Sequence, residues 1–203
     1  METHPRCPWC GGDPLYVAYH DNEWGVPERD SRKLFALLLL EGFQAGLSWI
    51  TVLRKREHYL KVMDSLAPEK VALYGEAKIK ALLSDPGIIR NRLKVNGVIK
   101  NARAFLAMEE KGGNFSSFLW DFVGGVSVQN HFSSMDEVPA STAVSDAMAK
   151  ALKSSGFIFV GSTICYAFMQ SCGMVNDHLI GCFRHKEVAS LQSSIGHCRK
   201  PDF

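Results

Sequence analysis

Apolar side chains recur at helical rather than strand spacing along almost the whole chain, which restricts the fold to helices packed on helices. Asp30 or Ser31 can cap a helix with Leu34, Phe35, Leu38 and Leu39 on one side, and Gly42 is expected to break it. A second helix is predicted from Trp49, Val52, Leu53, Tyr59, Leu60 and Met63, and Pro68 suits the start of a third. Asp85-Pro86-Gly87 reads as a turn before a basic amphipathic helix from Asn91 to Met108. Lys111 to Asn114 reads as a loop, and Gly124 to Thr142 holds few helix formers. Ser145 is expected to cap a helix from Asp146 to Ser154 that Gly156 ends, and Ser162 to Ser171 is the next. Strand alternation is weak, so the expected class is all-α.

A chain of 203 residues fits one globular domain, or two small lobes sharing a cleft, and 46% apolar content can bury a real core. The longest apolar run, Leu34 to Leu40, falls far short of the ~20 residues that cross a bilayer. No hydrophobic stretch follows the first charges, so no signal peptide is expected. The expected compartment is the cytoplasm, with no membrane contact. Net charge of +2 says little about partners, whereas local clusters say more. Lys78, Lys80, Arg90, Arg92, Lys94, Lys100 and Arg103 form one, and Arg54, Lys55 and Arg56 another. Such clusters can meet phosphates, although a solvated helix face carries the same pattern.

Cysteines in a cytoplasmic chain point to metal binding or burial rather than disulfides. His178 and Cys182 lie four apart, which on a helix puts both on one face toward a single metal. Cys7, Cys10 and His20 offer further donors near the other end, so a metal could staple the two end segments. Cys7 and Cys10 form a CxxC pair that can bind zinc together or act as a redox pair, although no sheet pattern surrounds it. His185, His197 and Cys198 are additional candidates, whereas Cys165 and Cys172 sit on an apolar helix and read as core.

Tyr16, Tyr19, Trp24 and Trp49 lie close in sequence to Glu41. Flat rings can sandwich a nucleobase, and a carboxylate in an apolar pocket attracts a cation. Rings at helical spacing are also ordinary core, but Glu41, ending a run of leucines, is expensive to bury without a partner. Between two helices, Gly156-Phe-Ile-Phe-Val-Gly161 forms a tight reversal that leaves backbone N–H groups at the next helix's start, where a DNA phosphate can bind. An ordinary helical hairpin reads the same way.

Five ordered segments resemble the 3-methyladenine DNA glycosylase I family: DPLYVAYHDNEWGVP (Asp13 to Pro27), EGFQAGLSWITVL (Glu41 to Leu53), GIIR (Gly87 to Arg90), GFIFVGSTICY (Gly156 to Tyr166) and VNDHLIGC (Val175 to Cys182). The resemblance implies a helix-hairpin-helix DNA glycosylase fold over residues 1–183, with two helical lobes around a base-binding cleft. The hairpin would lie near 145–172, and 184–203 would be a tail without an assigned role. It implies one structural Zn2+ per chain on Cys7, His20, His178 and Cys182, joining the N- and C-terminal segments and choosing Cys7 over Cys10. It implies Glu41 and Tyr19 as catalytic and base-reading groups and Trp49 as a stacking face, with Tyr16, Trp24 and Trp9 as aromatic walls. Gly46 and Leu47 would enter the DNA with Leu47 as wedge, and Phe159, Val160 and Gly161 would touch its backbone.

In the wider helix-hairpin-helix group a V-D-x-H run carries a catalytic aspartate. Here Asn176 takes that place, and Asp177, one step along, would point about 100° away on a helix. The implied chemistry does without it, because 3-methyladenine is already cationic and leaves as a neutral base. The implied partner is double-stranded DNA carrying alkylated bases, with free 3-methyladenine as product and no obligate protein partner. No lysine stands out for a Schiff base, so a monofunctional hydrolase is expected. The alternatives are a zinc-stapled module that binds alkylated DNA without hydrolysis, and a zinc hydrolase, which would need an open metal position.

Overall fold

The computed structural model describes residues 5–195. Asp13 caps α1 (Pro14–Asn22) by accepting hydrogen bonds from the Leu15 and Tyr16 amides, with Pro14 in the first turn where no N–H is missed. Asp30 does the same for α2 (Ser31–Gln44) through the amides of Arg32 and Lys33. Gly42 does not break α2 as expected; the helix runs two residues beyond it. A Cβ at Gly42 would make ordinary contact with Phe159, so this position sits within the packed helix rather than at its end.

The predicted second helix is two: α3 (Trp49–Leu53) and α4 (Arg56–Val62), with a break at residues 54–55. Pro68 opens α5 (Pro68–Val71), and α6 (Glu76–Ser84) leads to the Asp85 turn. Asn91 caps the long α7 (Arg92–Glu110), and α8 (Phe115–Trp120) follows. In α9 (Ala143–Ser154) the cap is Thr142, not Ser145. Ser145 is the reciprocal partner three residues inside, its hydroxyl accepting from the Thr142 amide at 2.8 Å. After α10 (Ser162–Ser171), the stretch set apart as a tail continues as α11 (Phe183–Ile195), with Val188 fully buried. His197, Cys198, Arg199 and Lys200 lie outside the described residues.

Helix α2 is buried on more than one face and packs against α3, α7, α8 and α10, so it is the axis of the molecule. A ladder of rings carries the core outward from it: Phe35 to Phe105 at 4.8 Å, Phe105 to Phe115 at 5.1 Å, Phe115 to Phe157 at 5.6 Å. The all-α expectation holds except for one short parallel pair, β1 (Val128–Gln129) beside β2 (Val175–Asn176). Two residues are too few to show an alternating pattern, but this pair ties the helix-poor stretch before α9 to the segment after α10. No helix among the described residues is long and apolar enough to cross a membrane.

Candidate functional site: a ring-lined cavity beside a thiol–imidazole cluster

Cys7, His20, His178 and Cys182 are all buried, and their donor atoms lie within 4.8 Å of one another. The Cys7 and Cys182 sulfurs each stand 3.7 Å from His178 Nδ1, and the Cys182 sulfur 3.5 Å from His20 Nε2. The outer nitrogens are engaged elsewhere. His20 Nδ1 donates to Asp21 at 2.7 Å, and His178 Nε2 donates to the Trp24 carbonyl at 3.0 Å. Those bonds fix both tautomers so that the inner nitrogens are acceptors aimed at one point. Gly25, at φ +81°, lets the chain turn flat against the His178 ring.

A hydrogen bond from Cys7 holds the Cys182 thiol far below its usual range, whereas the same bond and burial keep Cys7 protonated. Two thiols and two aligned imidazoles are a donor set that could hold a metal ion. Cys10 stands outside it, its thiol bonded to the Cys7 carbonyl. His178 and Cys182 are not on a helix as expected; they occupy the turn between β2 and α11. Their four-residue spacing wraps a turn around the point they share.

On the other side of Trp9 and Trp24 lies a cavity of about 180 Å3. Every ring expected in the pocket lines it: Trp9, Tyr16, Tyr19, Trp24 and Trp49, together with Glu41. Trp9 packs edge-on against both Tyr16 and Trp24 at 4.9 Å, and Tyr19 lies 5.5 Å from Trp49. Glu41 is 2% exposed, and its Oε2 finds no partner among the described residues. The indole N–H groups of Trp9 and Trp49 are sealed in the same way. Burial pushes the Glu41 carboxyl up to about 8, with Ser171 pulling the other way. The Tyr19 hydroxyl is driven well above its ordinary range by burial and by Glu41. Orphaned polar atoms around a cavity are costly unless something enters to pair with them.

Sequence reasoning missed Gln44, Met135, Val138, Ala167, Gln170 and Asp177, which complete the wall. Met135 and Val138 come from the helix-poor stretch, where no periodicity marks a residue as inward. The expectation that Asp177 points away rested on a helix that is absent. In the extended segment it is Asn176 that turns aside, donating to Gln129 and to the His185 carbonyl. Asp177 is 2% exposed on the cavity wall and accepts from Asn130, Tyr166 and Gln170 at 2.6, 2.7 and 2.8 Å.

Gly46, at φ +79°, turns the chain between α2 and α3 so that Leu47 stands 42% exposed beyond the cavity. Lys94 holds this turn from below, donating to the Phe43 and Ala45 carbonyls at 2.8 and 2.7 Å. In the α9–α10 hairpin the Phe157 and Val160 side chains are buried and those of Ile158 and Phe159 half-buried. Val160 is 1% exposed, and Phe159 packs where Gly97 of α7 leaves room. Gly161 stands at the N-cap of α10. The Arg54 to Arg56 cluster is largely committed: Arg54 pairs with Asp13, Arg56 with Glu23, and Lys55 caps the Pro86 and Gly87 carbonyls. Arg90 and Lys100 remain exposed.

A family model described as methyladenine glycosylase matches residues 9–185. DNA-3-methyladenine glycosylase 1 of Escherichia coli (strain K12) is 55% identical over 177 residues, which cover 87% of this chain and 95% of that protein. A crystal structure of 3-methyladenine DNA glycosylase I superposes with a TM-score of 0.87 at 57% identity, over 88% of this chain and 98% of that one. The Staphylococcus aureus 3-methyladenine DNA glycosylase I structure concerned with 3-methyladenine recognition gives 0.85 at 35% identity, over 88% and 95%.

Proposed function

The chain belongs to the methyladenine glycosylase family, and from that premise we propose that it excises 3-methyladenine from alkylated double-stranded DNA. It hydrolyses the N-glycosidic bond and releases the free base, the opening step of base-excision repair. The observation that carries this reading is Glu41: a buried carboxyl with an unpaired oxygen, facing a cavity otherwise walled by rings.

The flipped base enters that cavity, and Trp49 stacks on its face while Glu41 and Tyr19 read its edge. A cationic purine is favoured twice. Ring faces attract it by about 1–2 kcal/mol, and its charge compensates the desolvation that otherwise keeps Glu41 protonated. Neutral adenine gains neither. Once the glycosidic bond breaks, the methylated base leaves uncharged, so the pocket needs no acid to protonate it. Water completes the reaction at the sugar. No lysine among the described residues lines the cavity, in keeping with hydrolysis without strand cleavage.

Leu47 fills the space left in the duplex, and the backbone amides opening α10 hold a phosphate, as in helix-hairpin-helix glycosylases. Cys7, His20, His178 and Cys182 hold one structural zinc. Bound there, the metal supplies cross-linking rather than chemistry, because four protein donors leave no open position. The compartment is the cytoplasm, where the DNA is.

Incubation with alkylated duplex DNA and identification of the released base tests the assignment. Free 3-methyladenine is expected; retention of the DNA without base release would leave a binding module instead.

A further inference from the structure

We propose that Gln170 is a specificity-determining residue of the base pocket, its side-chain carbonyl set by Asp177 to accept a hydrogen bond from the exocyclic amino group of the purine. This inference rests on the glycosylase reading and adds a residue to it. Gln170 lies on α10 one turn after Ala167, and both line the cavity with Asp177. Its Nε2 donates to Asp177 Oδ2 at 2.8 Å, where the Tyr166 hydroxyl also donates, at 2.7 Å. The other carboxylate oxygen takes the Asn130 amide at 2.6 Å. A carboxylate only accepts, so reversing the Gln170 amide would set oxygen against oxygen. The orientation is therefore fixed, and the free end of the amide is its oxygen. That oxygen bonds to none of the described residues and is not sealed off by them.

An exocyclic amino group carries two hydrogens, and a base pulled out of water must find an acceptor for each. Glu41, which lines this cavity and whose Oε2 has no partner among the described residues, is one acceptor, and Gln170 Oε1 supplies the second. A purine with a carbonyl at the same ring position would face two acceptors with no hydrogen to offer, which a built polar site rejects strongly.

The test is equilibrium binding of the free bases 3-methyladenine and 3-methylhypoxanthine, read by tryptophan fluorescence, for the wild type, Gln170→Met and Asp177→Asn. The wild type is expected to prefer the amino base, and Gln170→Met to narrow that preference by about tenfold. Asp177→Asn frees the Gln170 amide to turn over and offer its NH2 to a ring carbonyl, so it narrows the preference as well, and an unaltered preference in that variant overturns the role given to Asp177. A Gln170→Met variant that keeps the wild-type preference, or loses affinity for both bases equally, overturns the inference. A wild-type chain that binds neither base and frees none from alkylated DNA overturns the glycosylase reading instead.

Discussion

At the scale of single residues, Glu41 governs two expected outcomes. Glu41→Gln removes the charge that pairs with the cationic base while keeping the shape, and excision of 3-methyladenine should fall by ten- to a hundredfold, as for loss of a charged hydrogen bond of about 1.5–3 kcal/mol. Base release from alkylated DNA under single-turnover conditions measures it. The second outcome follows from burial. The carboxyl sits at about 8 in the fold, above its ordinary value of 4.5. A raised carboxyl favours the folded state fully only below its unfolded value, and that contribution disappears as pH climbs through the folded one. The melting temperature of the wild type should therefore drop relative to Glu41→Gln between pH 5 and pH 8, by several degrees, in thermal melts of the two proteins side by side. An unchanged difference across that range would mean Glu41 ionises freely. Glu41 was legible in the sequence because a carboxylate closing a leucine run needs an explanation. Asp177 was not, since the extended segment after α10 carries no pattern from which side-chain direction can be read, and Gln170, on α10 itself, gains its meaning only from the bond to Asp177.

Between elements, the contact that matters most is the seat of the α9–α10 hairpin on α2 and α7. A Cβ at Gly97 would stand 2.8 and 2.9 Å from the Phe159 ring, and Asn101 of α7 exchanges two hydrogen bonds with the Ile158 backbone. Gly97→Ala should cost about 1–3 kcal/mol of stability by overpacking, despite alanine's higher helix propensity. Chemical denaturation reads this directly. The turn carrying Leu47 behaves differently, because that side chain supports no core. Leu47→Ala should leave the melting temperature and free-base binding unchanged while lowering excision from duplex DNA several-fold; a loss of free-base affinity would place Leu47 in the pocket wall instead. Most helices could be read from periodicity and caps. Gly42 and Ser145 look like boundaries locally, whereas α2 runs on to Gln44 and the reciprocal bond with Thr142 places Ser145 inside α9.

For the whole molecule, the four-donor cluster and the cavity share a wall. Trp24 lines the cavity, and its ring lies 4.6 Å from that of His178. Stripping metal from the protein with a strong chelator should accordingly remove the fold and the base pocket together, giving a loss of helical circular dichroism in step with lost 3-methyladenine binding. A chain that kept its helicity and lost only activity would assign the cluster to catalysis. Closure of this cluster also orders events at the ribosome. His20 and Cys182 are 162 positions apart, and at about 5–20 residues per second the early thiol and imidazole wait roughly ten to thirty seconds for their later partners. Until then the cavity has rings but no brace, so a prematurely terminated product cannot hold the damaged base, and only translation past Cys182 yields a working enzyme.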